Sequence, residues 1–157
     1  MSDRIQMTEL SPRHYIGIRR RVPRANISQA LDEAFPRVRS WLNARGITPD
    51  SPPAVLFDVV DWDSDQWEIT PAIFLPTPAD PTNDDPELIT GQTASGQALV
   101  TTHVGPYDGL PQTWQAVLDR AKELNRPVNG VPWEVYLDDP RVVDEEQLRT
   151  EIVVPLG

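Results

Sequence analysis

The sequence predicts an α+β domain: a tandem β-α-β-β duplication with pseudo-twofold symmetry, antiparallel sheets, helices on one face and a ligand groove between the halves. Three observations carry this. Strand-like and helix-like segments begin in the same order at residues 14, 26, 54 and 67 and again at 97, 109, 133 and 148. Short stretches match between the halves, PPAVLF (52–57) with VPWEVY (131–136) and FLP (74–76) with VVP (153–155). A polar, acidic, proline-rich connector at 77–90 separates repeats of about 1–76 and 91–157, a composition that favours a solvated linker.

In the first half, HYIGIRRRV (14–22) is β-branched and reads as a strand. NISQALDEAFPRVRSWLNARG (26–46) places Ile27, Leu31, Phe35, Val38 and Leu42 at helical spacing. Asn26 and Gln29 form a capping-box pattern, and Gly46 is a natural C-terminal stop. Pro36 predicts a kink, or a helix that begins there. AVLFDVV (54–60) and WEITPAIFLP (67–76) read as two further strands.

The second half repeats the order. QALVTTHVG (97–105) is strand-like, and GLPQTWQAVLDRAKELN (109–125) aligns Leu110, Trp114, Val117, Leu118, Ala121 and Leu124 on one helical face. Pro111 falls in the first turn, where its missing N–H costs nothing. WEVYL (133–137) and LRTEIVVP (148–155) are strand-like.

Composition removes several function classes. The 157 residues suit one domain with a full core. A net charge of -10 argues against nucleic acid, so no direct DNA binding is expected, and it suits solubility and cationic partners. With no cysteine, disulfides, thiolate metal sites and cysteine nucleophiles are excluded. The N-terminal MSDRIQMTEL has no apolar signal core, and no apolar run reaches membrane-span length. A cytoplasmic protein without membrane contact is the expectation.

One residue breaks the apolar pattern of its strand. Glu134 lies between Trp133, Val135 and Tyr136, and burying a carboxylate is costly unless something pairs with it. Its counterpart in the first half is Val55, so the acid belongs to one repeat only and points to function rather than fold. Alternation puts Trp133, Val135 and Leu137 on one face, read as the core under the helices, and Glu134 and Tyr136 on the other, read as the groove. Val55 and Phe57 take the equivalent groove positions, and Tyr15, Tyr107, Trp62 and Trp67 are candidate walls. A carboxylate among aromatic rings suits an organic cation. The competing reading is an exposed Glu134, or one paired with an arginine such as Arg149.

GPYDGLPQTWQAVLDRAKE (105–123), VPWEVYLDDP (131–140) and RTEIVVPL (149–156) together resemble the GyrI-like family. This is the gyrase-inhibitory-protein-like small-molecule-binding domain, also found as the effector-binding domain of AraC-type and multidrug-responsive MerR-type regulators. The resemblance covers nearly the whole chain. It implies a hydrophobic or cationic small molecule held between the halves, with Glu134 as the acid and Tyr136, Phe57, Trp133 and Tyr107 in the aromatic lining. It also implies an enzymatic alternative, since some family members hydrolyse cyclopropane-containing genotoxins. There Glu134 would be a general acid or base and Tyr136 would polarise the substrate. Gyrase or a separate regulator is a further possible partner on the family's name. No segment of the sequence reads as a helix-turn-helix, so the expectation is a stand-alone binder without a cofactor.

Other signals are weak. DWDSD (61–65) imitates a calcium loop, but Gln66 and Ala72 stand where the glycine and the bidentate glutamate belong. His14 and His103 lie on separate strands without metal-ligand spacing. Arg19, Arg20 and Arg21 alternate across a strand and read as edge protection and ion pairing.

Overall fold

A computed structural model describes residues 4–60, 63–81 and 85–157. The protein is α+β, with two long helices and nine strands among these residues. The chain divides into two units, Arg13–Thr93 and a second formed by Ala94–Gly157 with Met1–Pro12.

In the Arg13–Thr93 unit, β2 (His14–Ile18), β3 (Arg20–Val22), α1 (Ile27–Ala44), β4 (Ala54–Val59), β5 (Trp67–Leu75) and β6 (Leu88–Gln92) follow in turn. The antiparallel order is β4-β5-β2-β6, with β3 also paired to β5. Helix α1 lays Ala34, Val38, Trp41 and Leu42 on Ile16 and Ile18 of β2 and Ile73 and Leu75 of β5. Its end is the predicted one: Gly46 adopts φ 67°, and the Ile47 N–H returns to the Leu42 carbonyl at 3.0 Å. Its start is also where expected, with Asn26 as the N-cap and Ile27 the first helical residue, and Pro36 lies in the interior on the exposed side rather than at a helix start; but Asn26 makes no side-chain capping bond. A 3-10 turn at Arg24–Asn26 leads in instead, and the Asn26 N–H bonds to the Pro23 carbonyl.

In the other unit, β1 (Gln6–Leu10), β7 (Gly96–Val104), α2 (Leu110–Glu123), β8 (Trp133–Tyr136) and β9 (Arg149–Pro155) give the antiparallel order β1-β7-β9-β8. Helix α2 packs Val117 and Ala121 on Leu99 of β7 and Ile152 and Val154 of β9, with Leu110, Trp114, Leu118 and Leu124 beside them. Pro111 is in the first turn, as expected.

The strand order is the same in both units: in each, the order runs between the strand that follows the helix and an added strand. The added strands, β1 and β6, were not expected from the sequence. Each precedes one repeat in the chain and pairs with the first strand of the other, β1 with β7 and β6 with β2. The latter half of the stretch read as a solvated connector is therefore anchored. Arg37 of α1 holds Asp85 through two bonds of 2.6 and 2.8 Å and Glu87 at 2.8 Å, and Arg20 reaches Glu87 at 2.8 Å. HYIGIRRRV is two strands, broken at Arg19, which pairs with Asp58 at 3.2 Å.

Candidate functional site

Strand β8 has only four residues, and three of them are buried: Trp133, Glu134 and Val135. Register decides which way each points. Glu134 lies opposite Ile152, and Ile152 is part of the core under α2. Residues opposite one another in an antiparallel pair share a face. Glu134 and Tyr136 therefore lie on the helix side of this sheet, and Trp133 and Val135 on the other side, the reverse of the expectation from sequence. Apolarity favoured the Trp–Val face as the helix-covered one. In the fold both faces of β8 are buried, so that criterion has no force.

Glu134 is 5% exposed. The indole of Trp114, on α2, donates a hydrogen bond to its carboxyl group, since an indole N–H can only donate. Oε2 is buried with no hydrogen-bond partner among the described residues. Burial pushes the carboxyl up to about 7, against a smaller downward pull from the Trp114 bond. Among the described residues no cation forms an ion pair with it. Arg149 grips Asp138 through bonds of 2.9 and 3.0 Å, and Arg141 grips Asp139 at 2.9 and 3.1 Å. The pairing of Glu134 with Arg149 is thereby removed.

Two tyrosines complete the surroundings. Tyr107 sits on the 3-10 turn before α2, and its ring meets that of Tyr136 edge-on, centroids 5.7 Å apart. Burial, the Glu134 charge and Tyr107 push the Tyr136 phenol well above its usual range. Tyr107 is raised as well, by burial and then by Glu134, Asp138 and Asp139. Both phenols therefore stay protonated near neutrality, and the site carries one titrating carboxyl beside two neutral aromatic hydroxyls.

The remaining candidates fall into separate groups. Val55 and Phe57 lie opposite Pro71 and Ile69 of β5, so they share the face that bears α1 in their own unit. Val55 is the second residue of β4, as Glu134 is of β8, which supports the equivalence read from sequence. Trp67 is buried on the same face and meets Phe57 edge-on at 6.3 Å. Tyr15 lies opposite Phe74, on the other face of that sheet, with its hydroxyl over Gly91, where a Cβ would come within 2.6 Å of it. The sheet thus separates Tyr15 from Val55, Phe57 and Trp67. Trp133 points away from Glu134, and Trp62 lies outside the described residues.

Two residues were not singled out for the site from sequence. Trp114 was read only as part of a helix face. Thr150, opposite Tyr136 on β9, is fully buried and its Oγ1 has no partner among the described residues.

The histidines have structural partners. His103 Nε2 lies 2.9 Å from the Pro106 carbonyl, which can only accept, so Nε2 donates, and Nδ1 is hydrogen-bonded with the Thr113 hydroxyl at 2.8 Å. His103 borders a cleft of about 360 Å³ over β7 with Arg4, Thr101 and Gln112. Glu134 is not in its lining, and β9 lies between β7 and β8. Among the described residues no group of three or more acidic or histidine side chains could hold a metal, and no helix is long and apolar enough to cross a membrane.

Residues 4–156 match the GyrI-like small molecule binding domain, and the chain belongs to that family. No curated protein gives a significant sequence match. Several solved structures share the fold. The C-terminal domain of EcmrR superposes with TM-score 0.84 at 17% identity, covering 98% of this chain and 96% of that one. EcmrR in a complex with DNA gives TM-score 0.82 at 17% identity, and there the match covers 96% of this chain but only 56% of EcmrR. SAV2435 bound to tetraphenylphosphonium gives 0.67 at 15% identity, covering 98% and 93%. A hydrolase from Listeria innocua gives 0.68 at 16% identity, covering 98% and 92%.

Proposed function

We propose that this protein binds bulky apolar or cationic small molecules, with Glu134 as the counter-ion and Tyr107 and Tyr136 as aromatic contacts, and that it sequesters or senses them. One observation carries the reading. A carboxyl group sits buried with no ion-pair partner among the described residues and one oxygen unpartnered, although arginines close by in the chain are spent on Asp138 and Asp139. An isolated buried charge is expensive, so a fold that keeps Glu134 there has a use for it. A bound monocation restores the missing partner and draws further attraction from the rings. The family's small-molecule-binding character supports this reading, as does the tetraphenylphosphonium bound by SAV2435 on the same fold.

A titration followed by tryptophan fluorescence tests it, using tetraphenylphosphonium and neutral triphenylphosphine oxide on the wild type and on Glu134→Gln. Micromolar binding of the cation that weakens in the variant is the expected result. Absence of binding to either compound at millimolar concentration overturns the reading.

A second reading, hydrolysis of a strained electrophile such as a cyclopropanoid toxin, is favoured by one observation. A carboxyl group near pKa 7 is poised to accept and return a proton at neutral pH, and Tyr136 stands ready as a neutral hydrogen-bond donor. The Listeria hydrolase shares the fold. Mass spectrometry of each compound after incubation separates the readings: a product gained by one water, absent with Glu134→Gln, marks turnover.

A further inference from the structure

We infer that the ligand is an aryl-substituted amine bearing at least two N–H groups on its positive nitrogen, and that Thr150 accepts one of these hydrogens while Glu134 accepts another. The inference rests on the reading of Glu134 as counter-ion and narrows it to one class of cation.

Two buried side-chain oxygens in this unit lack a partner among the described residues, Glu134 Oε2 and Thr150 Oγ1. Their residues are 5% and 0% exposed. They are also neighbours. Glu134 pairs with Ile152, and Tyr136 with Thr150, so Glu134 and Thr150 stand diagonally across β8 and β9 on one sheet face. Such diagonal positions are roughly 7–8 Å apart at the backbone, within the joint reach of a glutamate and a bound group.

No described protein group satisfies Thr150 Oγ1. On its other side, β7 places His103 opposite it, but both His103 nitrogens are engaged, with Thr113 and with Pro106. Arg149, the adjacent residue, is committed to Asp138. Orphaned buried polar atoms are rare in folded proteins, and each calls for a physical reason. A shared ligand supplies one reason for both.

The chemistry then selects the ligand. Thr150 Oγ1 and Glu134 Oε2 can both accept. A protonated primary or secondary amine brings two or three N–H donors and one positive charge, enough for both oxygens. A quaternary ammonium or phosphonium offers charge alone. It would leave Thr150 Oγ1 desolvated and unpartnered, and such a mismatch makes it bind more weakly than an otherwise similar amine. The neutral phenols of Tyr107 and Tyr136 add aromatic area but no second negative charge, which fits a monocation.

The test compares 3,3-diphenylpropylamine with its N,N,N-trimethyl quaternary counterpart by calorimetry at pH 8, on the wild type and on Thr150→Val. Valine keeps the shape and removes an unsatisfied hydroxyl, so the variant should be at least as heat-stable as the wild type, and that melting temperature is the check on its fold. The expected result is a preference for the amine of about tenfold in the wild type, the scale of one charge-assisted hydrogen bond, lost in Thr150→Val while quaternary binding is unchanged. Equal binding of both compounds, or an amine preference that survives Thr150→Val, overturns the inference and leaves the role of Glu134 standing. Binding of neither compound overturns both.

Discussion

Trp114 on α2 donates its indole N–H to the Glu134 carboxyl on β8. This bond counters the upward push of burial on that group. Replacing the indole with a ring that cannot donate removes the counterweight. In Trp114→Phe the Glu134 carboxyl is expected to titrate above the wild type's value of about 7. A carbon-detected NMR titration of labelled glutamate measures it directly. A Glu134 that titrates at or below the wild-type value in the variant would show that the bond does not set its ionisation.

The same raised pKa makes stability depend on pH. The Glu134 carboxyl titrates at about 7 in the fold, against 4.5 for an unperturbed glutamate. Between those values the folded protein holds a proton that the unfolded chain has released, so stability falls as pH rises from about 4.5 through 7. The full cost above pH 7 is on the order of 3 kcal/mol, from about 1.4 kcal/mol for each tenfold change in proton affinity. Glu134→Gln, which keeps the shape without the charge, is therefore expected to gain stability over the wild type at about pH 8.5 and little or none at about pH 4.5. Urea unfolding at the two pH values checks this. An equal difference at both would mean that Glu134 is not ionising in a buried place.

Strand β6 depends on charge. Arg37 and Arg20 clamp Asp85 and Glu87 immediately before it, and among the described residues its strand partner is β2 alone. In Arg37→Ala the amides of Leu88–Gln92 are expected to exchange with deuterium several-fold faster, and high salt should produce part of the same effect in the wild type. The amides of β8 should be unchanged. Uniform acceleration across the chain would instead indicate a global loss of stability.

Helices α1 and α2 and the strands β4, β5, β7, β8 and β9 were legible in the sequence because each buries apolar side chains in a recognisable pattern. Strands β1 and β6 were not. Gln6–Leu10 is exposed along almost its whole length, and Leu88–Gln92 buries only Leu88. Each is held chiefly by backbone pairing to one neighbour, which leaves no apolar period to read. The oddity of Glu134 was legible as a charge in an apolar strand, and its one-sidedness came from comparison with Val55. The direction it faces was not, because alternation gives two faces without saying which one carries the helix. The register of β8 on β9 supplies that. Thr150 left no signal, since threonine is common in strands, and only its missing partner distinguishes it.

If Glu134 is the counter-ion of a bound cation, ligand affinity must follow its ionisation. The most direct measurement is the affinity of tetraphenylphosphonium for the wild type and for Glu134→Gln as a function of pH. Wild-type affinity is expected to climb as pH rises through about 7, where the carboxyl ionises. Glu134→Gln should bind at least about tenfold more weakly at about pH 8, with an affinity that does not vary with pH. A cation bound equally by both proteins, with no dependence on pH across that range, would contradict the counter-ion role.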